Sequence, residues 1–318
     1  MTIDRAALDQ PAARVARAEA RALAAAARVA LARLADPRDG DALHDGRVAL
    51  RRLRSWWRAF AAELALPDRL RRRLRRLARA TGAARDLEVA VGRMAALAAE
   101  SFGPRRALLV ALARELARER NRGRASLRAT VAERWASLDA ELERALGPAP
   151  AVVAPRFGTA FAAQLAQACA PFADPPPPPG DRLALHALRI AGKRVRYLLE
   201  PLRGAHPEVG AALIELKALQ EHLGAVNDAV VLEELLVAHA AAAARRAAHD
   251  RRALSSARAT LARCSTATEQ VRAWRDRLAR HHRRAVADRL PELYAACARL
   301  VAALRGQRPP ARRAAGAR

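Results

Sequence analysis

His44-Asp45-Gly46-Arg47-Val48-Ala49-Leu50-Arg51-Arg52-Leu53-Arg54 recurs 142 residues later as His186-Ala187-Leu188-Arg189-Ile190-Ala191-Gly192-Lys193-Arg194-Val195-Arg196. A second element keeps the same register. Leu74-Arg75, Leu77, Gly82 and Asp86 return as Leu216-Lys217, Leu219, Gly224 and Asp228. One insertion-free offset carries both matches, so the chain contains an internal duplication. On a helix, His44, Arg47, Arg51 and Arg54 share one face, and His186, Arg189, Lys193 and Arg196 take the same places in the second copy. The opposite faces hold Ala49, Leu50, Leu53 and Trp57, or Ala191, Gly192, Val195 and Leu199. Each helix therefore packs one side into a bundle and offers a cationic row about 15 Å long on the other.

Like charges at these spacings weaken a helix, and a bound anion removes that cost. An Arg-rich face is ordinarily just solvated. A row built twice, each time behind a histidine, favours anion contact instead. Arg52 and Arg194 flank the rows within snorkelling reach, and Arg75 and Lys217 extend them from a neighbouring helix. Asp86 and Asp228 are expected to cap helices or anchor arginines, and Gly82 and Gly224 to end helices in the left-handed conformation.

Composition agrees with an anion-binding reading. The 318 residues carry 58 Lys+Arg against 32 Asp+Glu, a net charge of +26 that draws nucleic acid, an anionic membrane surface or a phosphate polymer. Nearly all the cations are arginine, whose planar fork suits bidentate contact with phosphate oxygens. Aromatic residues make up only 3%, which argues against modules that stack bases and favours a polyanion without bases. Cys169, Cys264 and Cys297 are odd in number and widely spaced, so neither a zinc site nor a disulfide framework is expected, and a reducing cytoplasm fits. The opening residues lack the order of a signal peptide, and the uncharged run from Phe157 to Ala173 reads as a buried helix, with no membrane span expected.

Ala, Leu and Arg recur at helical periods throughout, with no alternating β-branched run, so the fold class is all-α. Breakers predict helices over about 14–34, from His44 to about Leu66, over 68–79, and from about Asp86, then an Arg-rich helix pair over 104–146. Gly147-Pro148-Ala149-Pro150 marks the boundary between halves. The expected architecture is two tandem four-helix bundles related by a pseudo-twofold axis about a basic central groove. Residues 10–148 and 181–305 form the halves. Residues 149–180 supply a helix near 157–170 and an extended Pro175–Pro179 spacer, and 306–318 form a disordered basic tail. The arginine rows Arg114–Arg118–Arg122 and Arg272–Arg275 have no repeat behind them and read as solvated faces. No phosphate-cradling glycine loop, metal-ligand spacing or nucleophile setting occurs, so no enzymatic activity, metal or cofactor is expected.

His44-x-x-Arg47-x-x-x-Arg51-Arg52-x-Arg54 and Leu77-x-x-x-x-Gly82-x-x-Arg85-Asp86, doubled as His186-x-x-Arg189-x-x-x-Lys193-Arg194-x-Arg196-Tyr197 and Leu219-Gln220-x-x-Leu223-Gly224-x-x-Asn227-Asp228, resemble the CHAD (conserved histidine α-helical domain) family. The resemblance runs from about residue 10 to 305. It implies two four-helix bundles around a basic channel, binding of inorganic polyphosphate and, in bacteria, association with polyphosphate granules and their proteins. Carried over by position, the implied ligands are His44, Arg47, Arg51, Arg52, Arg54, Arg75, His186, Arg189, Lys193, Arg194, Arg196 and Lys217. Nucleic acid is then a weaker competing polyanion, and polyphosphate hydrolysis the enzymatic alternative. Many relatives carry a fused triphosphatase β-barrel with a Glu-x-Glu-x-Lys signature, which this chain lacks. Asp45 answers to Ala187, so the two rows need not bind equally. Because a bound anion favours a protonated imidazole, affinity is expected to strengthen as pH falls through about 7 toward 6.

Overall fold

Alanine and leucine supply helix propensity along most of the chain, and the breakers set its segments. The computed structural model describes residues 3–36, 38–147 and 155–306, and all its regular elements are helical. They are α1 (Ala12–Ala32), α2 (Ala42–Ala59), the single turn α3 (Ala61–Leu64), α4 (Asp68–Ala80), α5 (Gly82–Ala99) and α6 (Gly103–Ala145). The second half holds α7 (Phe157–Cys169), α8 (Arg182–Leu199), α9 (Pro207–His249), α10 (Leu254–Arg280) and α11 (Leu290–Leu304). Both histidine helices start on an aspartate. Asp39 Oδ1 accepts from the Ala42 amide at 3.0 Å, and Asp181 Oδ1 from the Ala184 amide at 2.9 Å.

Several expectations change. The Arg-rich pair over 104–146 is one continuous 43-residue helix, α6, which passes through Gly123. A single glycine costs a helix only about 1 kcal/mol, and the packing of α6 on α5, α10, α4 and α1 outweighs it. The fourth helix begins at Gly82 rather than Asp86, so Asp86 lies inside α5 and caps nothing. In the second half the same element is never broken, and α9 runs 43 residues through both Gly224 and Asp228. Neither Gly82 nor Gly224 is left-handed; that conformation falls on Ala65, Gly103 and Gly306 instead. The boundary tetrapeptide beyond Gly147 and the tail beyond Gly306 lie outside the described residues.

Buried side chains gather in two clusters, and both draw on both halves. The larger joins α1, α2, α4 and the end of α6 to α7, α8, the start of α9 and α11. At its seam Trp56 of α2 and Phe60, just past its end, meet Phe157 and Phe161 of α7, with the Phe60 and Phe157 rings 5.5 Å apart. The run from Phe157 is thus a helix buried on one face, with Thr159, Ala163 and Gln167 left exposed on the other. The smaller, distal cluster joins α5 and the start of α6 to the end of α9 and α10, through residues such as Met94, Leu112, Leu232 and Val271. Arg17 is 7% exposed and donates to the carbonyls of Leu64 at 2.7 Å and Ala145 at 3.0 Å, so one buried cation satisfies two helix ends. His282 Nε2 lies 2.8 Å from the Pro177 carbonyl and ties the proline spacer to the body. Among the described residues no helix is long and apolar enough to cross a membrane.

Candidate functional site

Each histidine helix buries its predicted apolar face, and α2 packs against α8. Their charged faces therefore open onto a shared space. A cavity of about 370 Å³ lies there, closed on its sides by α5 and α9. The first half contributes His44, Arg47, Arg51 and Arg85, and the second contributes Arg189, Lys193, Arg196 and Lys217. Asp86, Glu221 and Asp228 are the carboxylates in its lining, so cations predominate.

The arginines are held in different ways. Arg47 Nη1 donates to Thr81 Oγ1 at 2.9 Å, and Thr81 donates onward to the Ala78 carbonyl. Thr81 sits at the break between α4 and α5, so the interruption of the helix is what positions Arg47. Arg51 and Arg189 have buried Nε atoms without a hydrogen-bond partner among the described residues. Arg51 of the first copy and Arg196 of the second come 5.9 and 5.1 Å from the Tyr197 ring centroid. Tyr197 is almost wholly buried, and its hydroxyl also lacks a partner. Gln220 Nε2 donates to the Gly192 carbonyl at 2.8 Å and locks α9 to α8 where the cavity is deepest in cations.

Lys193 is pushed down to about 7, first by burial and then by Arg189, Arg51 and Arg196. Burial also pushes His44 below the ordinary histidine value, with help from Arg85. Arg47 and Arg189 are lowered by burial too, yet remain charged at any ordinary pH. Asp86 is raised by burial and by Asp228, against the pull of Arg47. The two repeated aspartates thus face a common space. Asp228 Oδ2 reaches Arg93 at 3.6 Å, and Arg93 lies over the Trp274 ring at 4.7 Å, so the arginine-anchor role expected of Asp228 is present without the capping role.

Other predicted residues lie elsewhere. His186 is exposed and opens onto a neighbouring apolar cavity with Leu183 and Val230, its Nδ1 3.2 Å from Asn227 Oδ1. Arg54 and Arg75 line a separate basic cavity. Arg52 pairs with Glu200 at 2.8 Å, and Arg194 is exposed on the flank of α8. Among residues that the charge pattern did not select, Arg85, Asn227 and Gln220 reach the central cavity. The signal for them was present, because all three stand in the second repeated element beside its Gly and Asp. Among the described residues no group of three or more His, Cys, Asp or Glu is placed to hold a metal ion.

The CHAD domain family matches residues 14–237, which takes in both histidine helices and both copies of the Gly–Asp element. The chain belongs to the CHAD domain family. No curated protein matches this CHAD chain in sequence. The crystal structure of the CHAD domain from the plant Ricinus communis matches 98% of this chain and 96% of its own, with a TM-score of 0.63 and 22% identity. PptA from Streptomyces chartreusis matches 86% of this chain and 100% of its own, with a TM-score of 0.53 and 17% identity. At these identities the likeness is one of fold.

Proposed function

We propose that this CHAD protein binds inorganic polyphosphate in the cavity between its two histidine helices. The observation that carries the reading is the convergence of Arg47, Arg51, Arg189 and Lys193, from both copies of the repeat, on one cavity where the buried Nε atoms of Arg51 and Arg189 find no hydrogen-bond partner among the described residues. Half-buried cations that outnumber the carboxylates around them repel one another and are stabilised by a ligand that brings negative charge and many acceptor oxygens. A phosphate chain does both at successive positions. On this reading the two histidine helices are pseudo-twofold mates about a basic groove. The protein acts by binding, without catalysis, and in a cell would sit with other proteins on cytoplasmic polyphosphate granules. His44 and the central cations form the primary contacts, while Arg52, Arg54, Arg75, His186 and Arg194 act from the periphery.

Each charge-assisted contact is worth roughly 1.5–3 kcal/mol. Calorimetric titration of long-chain polyphosphate into wild type and Arg51→Ala/Lys193→Ala, at two salt concentrations, tests the reading. Salt-sensitive binding in wild type, lost at least about 100-fold in the double variant, supports it. Unchanged binding in the variant means diffuse attraction to a surface of net charge +26 and sinks it. Duplex DNA that displaces polyphosphate at equal phosphate concentration would instead favour a nucleic-acid binder. Metal-dependent phosphate release would establish hydrolysis.

A further inference from the structure

The cationic row of α2 does not stop at the central cavity. Beyond Arg51 it continues through Arg54 to Arg58, two helical turns or about 10 Å further on. There a second cavity of about 380 Å³ lies between α2 and α4, lined by Arg54, Arg58, Arg71, Arg72 and Arg75 around Trp57. Among the described residues no carboxylate lines it, and of its arginines Arg71 pairs with Asp68 at 2.9 Å. Arg54 is pushed down by burial and then by Arg58, Arg75, Arg79 and Arg51, a field of like charge that spans both cavities. Arg58 also acts on Arg194, which brings the exposed cation of α8 to the same region.

The duplication supplies an internal control. Arg54, Arg58, Arg71, Arg72 and Arg75 answer to Arg196, Glu200, Leu213, Ile214 and Lys217. In the second half the place of Arg58 is thus taken by an acid, which binds Arg52 and Arg196 instead of leaving them to a ligand. Leu213 is buried and Ile214 stands 69% exposed where the first half has adjacent arginines. Self-repulsion of this kind has been kept on one side of the molecule and dismantled on the other.

We propose that the α2–α4 cavity is a second polyphosphate subsite, so that a long chain leaves the central cavity over the first half only. The inference rests on the polyphosphate reading of the central cavity and gives it a direction and a minimum chain length. Tripolyphosphate is too short to reach beyond the central cavity, and a long chain covers both. Arg71 and Arg72 are exposed on α4, so Arg71→Ala/Arg72→Ala is expected to leave the fold intact.

The test is calorimetric titration of wild type, Arg71→Ala/Arg72→Ala, Arg51→Ala/Lys193→Ala and Ile214→Ala with tripolyphosphate, with long-chain polyphosphate and with duplex DNA. The double variant is expected to lose about 10–100-fold in long-chain affinity and less than about twofold for tripolyphosphate. Its long-chain salt dependence should be shallower by about two, one for each phosphate contact removed. Ile214→Ala should change neither ligand. Undiminished long-chain binding in the double variant overturns the proposal, as does an equal loss for both lengths. So does a loss confined to duplex DNA, which would assign the cavity to nucleic acid. Wild type that binds neither phosphate ligand would defeat the central reading as well. Retained sensitivity to Arg51→Ala/Lys193→Ala with no effect of the arginine pair defeats the second subsite alone.

Discussion

The two copies of the repeat have kept their charge and changed how they hold it. In the first, α4 ends at Ala80, Thr81 occupies the gap, and its hydroxyl orients Arg47. In the second the position of Thr81 is Leu223, α9 runs through, and Arg189 keeps a buried Nε with no hydrogen-bond partner among the described residues. At the far end of the rows Arg58 faces solvent, while its counterpart Glu200 neutralises Arg52 and Arg196. A helix break and a single acid have therefore turned one inherited surface into two unequal ones. Cation count alone is a poor guide to ligand contact; the partners each cation already has decide what it offers.

The equivalent arginines give the largest contrast. Arg189→Ala should weaken long-chain polyphosphate about 30-fold and Arg47→Ala about threefold, because Thr81 already satisfies part of Arg47. Equal losses in parallel titrations would break the comparison. Lys193 and its counterpart Arg51 come next. Folded Lys193 releases its proton near pH 7, whereas in the unfolded chain it holds it to about 10.5. Between these limits the unfolded state binds more protons, so stability of the free protein rises with pH. Urea unfolding at pH 7 and 9 should show wild type gaining roughly 1–2 kcal/mol relative to Lys193→Met, after allowance for solvent screening. A bound polyanion restores the charge, so affinity should fall from pH 7 to 9 and binding should take up a proton. Lys193→Arg should abolish that uptake, measured in buffers of different ionisation enthalpy. His44 adds its own uptake at lower pH, which keeps part of the dependence expected between pH 7 and 6.

Smaller effects test the ends of the rows. Glu200→Gln frees Arg52 and Arg196 and should tighten binding about threefold; weaker binding would mean that the acid positions those arginines for the ligand. Thr81→Val removes the hydroxyl that orients Arg47 and should weaken binding by about twofold, with stability lowered by about 1 kcal/mol. A variant indistinguishable from wild type in both measurements would show that the helix break has no part in the site.

Helical class and the histidine helices were legible because a 3.6-residue period fixes which side chains share a face, whatever the rest of the chain does. That period also set Arg47, Arg51, Arg189, Lys193 and Arg196 on their rows, and the structure places all of them at one cavity. It could not say where a row leaves the cavity, which is why Arg54 lies with Arg75 in another space. Nor could it rank glycines. Gly224 read as a helix end and the stretch over 104–146 as a pair, but neighbours packed along α6 and α9 carry both helices through. Arg85 stands in the repeated Gly–Asp element, but its direction depends on the packing of α5 against α6 and α9, which a helical period does not carry.

The long helices have one more consequence. The 43-residue α6 and α9 each run from the larger core into the distal one, and each core takes residues from both sides of the segment 148–154. Neither half keeps a complete interior of its own. A peptide-bond cut between Gly147 and Pro155 should therefore leave a nicked protein that holds together and melts in one cooperative transition. Either fragment made by itself should expose half of two interiors and fail to fold. The repeat is legible in the sequence, yet each interior belongs to both copies.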